Sequence, residues 1–291
     1  MAIRIITDSG SDMTVEEAKA LGVILLPINV RFGDDEYKAG YDMSNVRFFD
    51  MLIETDEFPK TSSISPAVYE DAFREVLDSG DEAIYISLSS GLSGTMQSAM
   101  IAVSSVEDEY GRADISVVDS KGACGTQYIL VRQALEYVEQ GLDRYTIVER
   151  LQQDRKHTKI IAMLDTLEYL HKGGRISAAA ATVGNMLSIK PVITFEDGQV
   201  KLLGKAKGSK NANNKLKQFV IEHGGIDFNR EFILVYSGNE THLLDKYIID
   251  SEELYADYGD ELPRLQIGPV IGTYAGPGAV GLAFFEMTTE S

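Results

Sequence analysis

The sequence predicts an α/β protein, with an N-terminal parallel-sheet α/β/α domain over residues 1–157 and a C-terminal α+β domain with a partly antiparallel sheet over residues 158–291. Up to about residue 157, β-branched runs alternate with helical patterns, which is typical of parallel β-α units. Two extended runs then flank residues 196–198, a hairpin signal. A length of 291 residues also favours about two domains.

The elements of the N-terminal domain follow from apolar runs and helix caps. Strands are expected at four β-branched runs, at residues 2–7, 23–30, 82–88 and 113–119. Thr14 with Glu17 forms a capping box, and Ser65 followed by Pro66 marks another helix start. The helices predicted in this half cover residues 14–22, 65–79, about 95–105 and 125–139, and Asp143 is a candidate cap for the helix that follows.

The elements of the C-terminal domain are less regular. Helices near 208–223 and 240–257 flank a predicted strand at 231–236. The final stretch, residues 265–287, is Gly-rich and is interpreted as extended. Residues 276–281 match G-x-G-x-x-G, but too few residues follow to complete a dinucleotide-binding unit, so we expect a tight turn against the core.

Composition and charge exclude several classes of function. The chain has 45 acidic and 27 basic side chains and a formal net charge of −18, so most of its surface would repel nucleic acid and anionic lipid. The single cysteine, Cys124, allows neither an internal disulfide nor a Cys-based zinc site. The sequence shows no secretory pattern and no apolar window long enough to span a bilayer. We therefore expect a cytoplasmic protein without stable membrane insertion, for which transient membrane contact remains open.

A basic segment interrupts this acidic chain. Residues 159–217 contain ten Lys or Arg side chains and four acidic ones. Arg175, Lys205 and Lys207 could belong to a solvated face or to a docking surface for an anionic partner or a phosphate, and the sequence leaves both open. A DNA-binding regulator using this segment is the weakest hypothesis, because the chain as a whole is strongly acidic.

Four turns rich in Ser and Thr follow predicted strands or precede predicted helices, at residues 7–12, 61–63, 87–95 and 119–122. Backbone N–H groups at helix starts carry partial positive charge, and added hydroxyl donors suit a carboxylate or a phosphate. Each turn taken alone is better explained as a helix cap. Because ligands of parallel sheets bind at the carboxyl ends of the strands, several such turns at one sheet edge favour an anion site.

Ser93 is the candidate nucleophile of an alternative, enzymatic function, a serine-dependent acyl hydrolase or phosphotransferase. Residues 91–95 match a nucleophile elbow except for the last glycine, and all four histidines fall on predicted helices or helix ends. No Walker motif is present. Asp8 and Asp12 have no third acid or histidine nearby, so we expect no metal, and we expect Asp8 to accept backbone N–H groups.

Seven blocks resemble the DegV family and follow the family's order over nearly the whole chain. They are TDSGSD (7–12), PKTSSISP (59–66), SLSSGLSGTMQSA (87–99), DSKGACGTQ (119–127), LEYLHKGGRIS (167–177), SIKPVITFEDG (188–198) and IGPVIGTYAGPGAVG (267–281). The resemblance implies a DegV-like fold and the binding of a long-chain fatty acid. Members termed FakB present the fatty acid to a kinase subunit, FakA, which makes acyl phosphate from ATP. The resemblance thus implies that this chain is a lipid-binding subunit without catalysis of its own, with no cofactor and with a FakA-like partner.

The same resemblance assigns residues to the fatty-acid head group. Thr61 and Ser93 match the positions that hydrogen-bond the carboxylate, and Ser62 and Gly94 adjoin them. Tyr274 stands where many relatives carry a histidine near the head group, so a proton-shuttling role is not implied there.

Further residues are assigned to the partner surface and to the acyl chain. Arg175 matches a basic position directed toward the kinase and the phosphate, and Lys205 and Lys207 complete the partner-facing set. Met186 and Leu187 are candidates for the wall of the acyl channel. Burial of the chain supplies about 0.8 kcal/mol per CH₂, on the order of 10 kcal/mol for sixteen carbons before ordering costs, so neutral hydroxyls suffice for the head group.

Overall fold

Three β-sheets and the helices around them make up the fold. The structure is a computed structural model, and it describes residues 1–55, 57–112, 114–177, 189–256, 258–259 and 261–287. The strands are β1 Ile3–Asp8, β2 Ile24–Leu26, β3 Asn29–Phe32, β4 Asp35–Lys38, β5 Lys60–Ser62, β6 Glu82–Ser87, β7 Ile115–Asp119, β8 Thr158–Met163, β9 Ile189–Glu196, β10 Gln199–Lys207, β11 Ile233–Tyr236, β12 Arg264–Gln266 and β13 Val280–Phe285. The helices are α1 Val15–Leu21, α2 Asn45–Glu54, α3 Pro66–Asp78, α4 Thr95–Tyr110, α5 Gly125–Glu139, α6 Arg144–His157, α7 Glu168–Lys172, α8 Ser209–Glu222, α9 His242–Asp250 and α10 Pro269–Ala275.

The sheet topology confirms the predicted fold class. The first sheet is parallel, in the order β2-β1-β6-β7. The second has the order β10-β9-β8-β13-β11-β12 and is antiparallel except for the β11–β12 pair. A small antiparallel sheet, β4-β3-β5, lies outside both. The strands of the large antiparallel sheet begin with β8, directly after α6, and the domain limits themselves stay a prediction.

Helix α5 joins the two large sheets. It contacts β1 and β6 on one side and β8, β11 and β13 on the other. At its start, a Cβ added to Gly125 would lie 2.6 Å from the Ala283 side chain, so glycine permits this close approach. One hydrophobic cluster accordingly contains residues of both sheets, such as Ile84 and Ile160. Both halves of the chain therefore share part of their core.

Local signals place several helix ends as predicted. The Thr14 hydroxyl accepts a hydrogen bond from the Glu17 N–H at 3.1 Å, and Gly22 ends α1 with a φ of +70°. The Asp143 carboxylate accepts the N–H groups of Tyr145 and Thr146 at the start of α6. Helix α4 runs five residues beyond the predicted end near residue 105, to Tyr110. The signal for its end is Gly111, which has a φ of +66°.

The single strand predicted over residues 23–30 is wrong. The run divides at Pro27 into β2, in the parallel sheet, and β3, in the small antiparallel sheet. Proline has no N–H to donate to a sheet ladder, so it interrupts a strand and lets the chain pass from one sheet to another.

The interpretation of residues 265–287 as extended is also wrong in its middle part. Residues 269–275 form helix α10, which lies between β12 and β13. Its sequence signals are Pro269 at the first helical position and Gly276 just past the end, with a φ of +68°. Tyr274 therefore projects from a helix. Among the described residues, no helix has both the length and the apolar character needed to cross a bilayer.

Candidate carboxylate-binding site

The loop of residues 88–94, here termed the Ser93 loop, follows β6, one of the two inner strands of the parallel sheet, and is held from both strands that neighbour β6. Asp8 at the end of β1 accepts the N–H of Leu88 at 2.9 Å. Asp119 at the end of β7 accepts the N–H of Ser90 at 3.2 Å and its hydroxyl at 2.5 Å. Two carboxylates thus fix the backbone that carries Ser93.

The two carboxyl groups differ in their electrostatics. Burial raises the pKa of Asp8, although the carboxylate also receives hydrogen bonds from Gly10, Tyr85 and Gln127. Burial opposes ionisation of Asp119 too, but hydrogen bonds from its Lys121 and Ser90 neighbours outweigh it and lower the pKa of that carboxyl. The bond from Gly10 confirms that Asp8 accepts backbone N–H groups. The described part of the chain contains no group of three or more His, Cys, Asp or Glu residues that could hold a metal ion.

A mostly apolar cavity opens beside this loop. The empty space inside it, including the open mouth, is about 630 Å³. The loop, the β9–β10 hairpin and α10 supply most of its wall, which includes the apolar side chains of Leu88, Leu92, Ile193, Phe195, Val200 and Val270. Its polar side chains are Thr61, Ser93, Arg175 and Tyr274.

Thr61 and Tyr274 meet in this wall although 213 positions separate them in the sequence. The Thr61 Oγ1 and Tyr274 OH atoms are 2.5 Å apart, and either can be the donor. Ser62, the next residue of β5, is exposed and donates to Glu36 Oε1 at 3.4 Å. Successive side chains of a strand point to opposite faces, which is why Thr61 reaches the cavity and Ser62 does not.

Ser93 lies in the wall at the start of α4. Its Oγ atom is 2.8 Å from the Thr95 hydroxyl and accepts the Thr95 N–H at 3.2 Å. Gly94 is exposed and does not line the cavity; a Cβ built there would meet the Ser63 hydroxyl at 3.3 Å. No histidine lines the cavity or hydrogen-bonds to Ser93 in the described structure, so the geometry does not supply the base that a serine nucleophile requires.

Arg175 is half-buried between the Ser93 loop and Tyr274. Its Nε donates to the Leu92 carbonyl at 3.0 Å, and its Nη1 donates to the Gly173 carbonyl at 2.6 Å. The guanidinium carbon lies 4.8 Å from the centre of the Tyr274 ring. The other two predicted partner-facing residues, Lys205 and Lys207, are exposed on the edge strand β10, away from the cavity wall.

The hairpin residues of the wall are not among the site residues predicted from the sequence. Ile193 and Phe195 are two positions apart on β9, and Val200 lies opposite Phe195 on β10, so the period of two along the strands was the available signal. Met186 and Leu187, the candidate wall residues, lie outside the described residues.

Comparison with known proteins identifies the family. A family model described as an uncharacterised protein of the DegV family matches residues 2–287. A DegV domain-containing protein of Halalkalibacterium halodurans is 32% identical over 285 residues, covering 97% of this chain and 98% of that protein. The chain belongs to the DegV family.

Solved structures of DegV family proteins share this fold. One from Thermus thermophilus, described for its fatty acid binding, has a TM-score of 0.86 and 28% identity and covers 99% of this chain and 100% of that one. The fatty acid kinase (Fak) B3 protein of Streptococcus pneumoniae, solved with linoleic acid, has a TM-score of 0.85 and covers 99% of this chain and 100% of that one. Its sequence identity is 22%, so this second likeness concerns the fold alone.

Proposed function

We propose that this DegV family protein binds a long-chain fatty acid, with the carboxylate at the hydroxyls of Thr61, Ser93 and Tyr274 and the acyl chain along the apolar wall. The observation that carries the proposal is the single cavity in which these three hydroxyls meet an otherwise almost wholly apolar lining. The T. thermophilus relative, of the same family and fold, is a fatty-acid-binding protein.

The hydroxyl groups suit a carboxylate because they are donors without charge. Thr61 pairs with Tyr274, and Ser93 pairs with Thr95; in each pair one hydroxyl donates its proton to the other, and the accepting hydroxyl keeps its own proton free to donate to the carboxylate. A hydrogen bond to a charged group contributes about 1.5–3 kcal/mol. The buried chain, at about 0.8 kcal/mol per CH₂, contributes most of the affinity.

Isothermal titration with palmitate tests the proposal. We expect Thr61→Ala and Ser93→Ala each to weaken binding at least about tenfold, because one hydrogen bond to a carboxylate contributes about 1.5–3 kcal/mol and about 1.4 kcal/mol corresponds to a factor of ten in affinity. Ser62→Ala is the matched control, because Ser62 adjoins Thr61 on the same strand but faces solvent. Unchanged affinity in both cavity variants, or an equal loss in Ser62→Ala, would contradict the head-group assignment.

We further propose that the protein presents the bound acid to a FakA-like kinase subunit in the cytoplasm, where ATP is available. The support is the shared fold of the pneumococcal Fak B3 protein and the exposed Lys205 and Lys207 in a chain of net charge −18. A double Lys205→Glu and Lys207→Glu variant should keep its palmitate affinity and lose most acyl phosphate formation with the kinase and ATP. Wild-type rates of acyl phosphate formation in that variant would exclude these lysines from the docking surface.

A further inference from the structure

Helices α7 and α10 pack through two reciprocal tyrosine–glycine contacts. A Cβ added to Gly173, just after α7, would lie 2.4 Å from Cδ1 of Tyr274, and a Cβ added to Gly276, just after α10, would lie 2.3 Å from Cδ2 of Tyr169. Each ring therefore lies where only glycine leaves room for it. The position of the Tyr274 ring is consequently set by the turn after α7 as well as by its own helix.

Arg175 extends this packing to the loop that carries Ser93. Within the described part of the chain, its guanidinium donates to main-chain carbonyls of two different segments, Leu92 in the loop and Gly173 in the turn, and lies over the Tyr274 ring. Leu92 directly precedes Ser93. One side chain thus connects the three segments whose relative placement sets the distance from the Ser93 hydroxyl to the Tyr274 hydroxyl.

We propose that Arg175 is a positioning residue of the carboxylate site, which holds the Ser93 loop and Tyr274 in the arrangement that receives the head group. This inference rests on the proposed fatty-acid binding and assigns Arg175 a role in the isolated protein, before any kinase is bound. Its contacts need a planar fork of N–H donors with a flat face for the ring. Lysine keeps the positive charge but not that geometry, so Arg175→Lys separates a positioning role from simple attraction of the carboxylate by the charge.

The decisive variant is Arg175→Lys, titrated with palmitate at ~0.05 M and ~1 M NaCl, where the Debye length falls to about 3 Å. A positioning role predicts about tenfold weaker binding at both salt concentrations. If Arg175 acts only by attracting an anion, Arg175→Lys binds as tightly as wild type at low salt, and the inference is overturned. Lys172→Gln is the control, since it removes one exposed positive charge from the same segment.

A double-mutant cycle with Tyr274→Leu measures the coupling between the two side chains in palmitate affinity, and general destabilisation of the fold does not produce such a coupling. If Arg175 acts through the Tyr274 ring, the effect of Arg175→Lys falls to less than half in the Tyr274→Leu background, whereas additive losses contradict the inference. Should Arg175→Lys not fold, as judged by circular dichroism, Tyr274→Leu is combined with Arg175→Gln instead. The two proposals fail in different ways. If the wild type binds no palmitate, the proposed function is refuted; if Arg175→Lys binds palmitate as tightly as the wild type, only the role of Arg175 is refuted.

Discussion

At the scale of single residues, the buried Asp12 supports the start of the helix that carries Tyr274. Its Oδ1 accepts the N–H of Gly268 at 2.9 Å, directly before the start of α10, the helix that carries Tyr274. Burial raises the pKa of Asp12 to about 7, and the nearby charge of Asp8 adds to this, although hydrogen bonds from Cys124 and Gly268 act in the opposite direction. The residue has a φ of 58°, a conformation that asparagine also adopts readily.

Asp12→Asn should alter the pH dependence of stability. A native-state pKa of about 7 against an ordinary value of 3.8 means that the folded protein binds the proton more tightly, so the free energy of unfolding falls as pH rises from about 4 to about 7. Asparagine keeps the acceptor for Gly268 and cannot titrate. Urea unfolding should therefore show the variant gaining stability relative to wild type between pH 4 and pH 8, and parallel pH profiles would contradict this.

At the scale of elements, the β9–β10 hairpin is held against the Ser93 loop at its turn. Asp197 and Gly198 have φ values of 50° and 79°, as expected for a two-residue hairpin turn that matches the twist of the strands. The Gly198 carbonyl accepts the Ser89 hydroxyl at 2.7 Å, and a Cβ on Gly91 would lie 2.5 Å from the same oxygen. The loop and the hairpin that wall the cavity are thus in direct contact.

Gly91→Ala should disrupt the contact between the Ser93 loop and the β9–β10 hairpin. The added methyl group meets a backbone oxygen that no side-chain rotation can move, so we expect a loss of about 1–3 kcal/mol in the free energy of unfolding and weaker palmitate binding. Gly94→Ala is the matched substitution in the same loop, because its only close neighbour is the movable Ser63 hydroxyl at 3.3 Å. Urea unfolding and titration measure the stability and the palmitate affinity of both variants. Equal losses in the two would show that the contact between Gly91 and the hairpin does not account for the effect of Gly91→Ala.

At the scale of the whole molecule, the cavity wall combines distant parts of the chain. Thr61 comes from the small sheet and Ser93 from the loop after β6 of the parallel sheet. Ile193 comes from the large antiparallel sheet and Tyr274 from α10. A ligand that fills this space therefore touches the large antiparallel sheet, the small sheet and the loop that follows β6 of the parallel sheet. A ligand that binds the native state and not the unfolded chain raises the free energy of unfolding by RT ln(1 + L/Kd), where L is the free ligand concentration.

Palmitate should accordingly raise the melting temperature. At a free concentration one hundred times the dissociation constant the gain is about 2.7 kcal/mol, and at about 2–4 °C per kcal/mol for a chain of this size the shift is roughly 5–10 °C. Octanoate, which lacks eight methylene groups, should give a much smaller shift at the same concentration. Scanning calorimetry measures both, and equal shifts for the two acids would show that the acyl chain is not buried.

The site could be predicted only in part. Thr61, Ser93 and Tyr274 were proposed from a family resemblance, and the structure places all three in one cavity wall. Ser62 and Gly94 were proposed with them by adjacency, and the structure places both away from the wall, because strand alternation and a helix start orient them outward. Nearness along the chain is therefore a poor guide to nearness in the site.

The features that could be predicted from the sequence are either local in the chain or properties of its overall composition. Caps such as Thr14 and Asp143, the alternation of strands and helices, and the net charge of −18 depend on neighbours along the chain or on simple composition. The pairing of the segments before and after Pro27 with two different sheets, and the bridge that Arg175 makes between the Ser93 loop and Tyr274, became known only from the folded structure. Those features arise from contacts between segments far apart in sequence, whose energies depend on shape and packing once the chain is folded, and no local pattern records them.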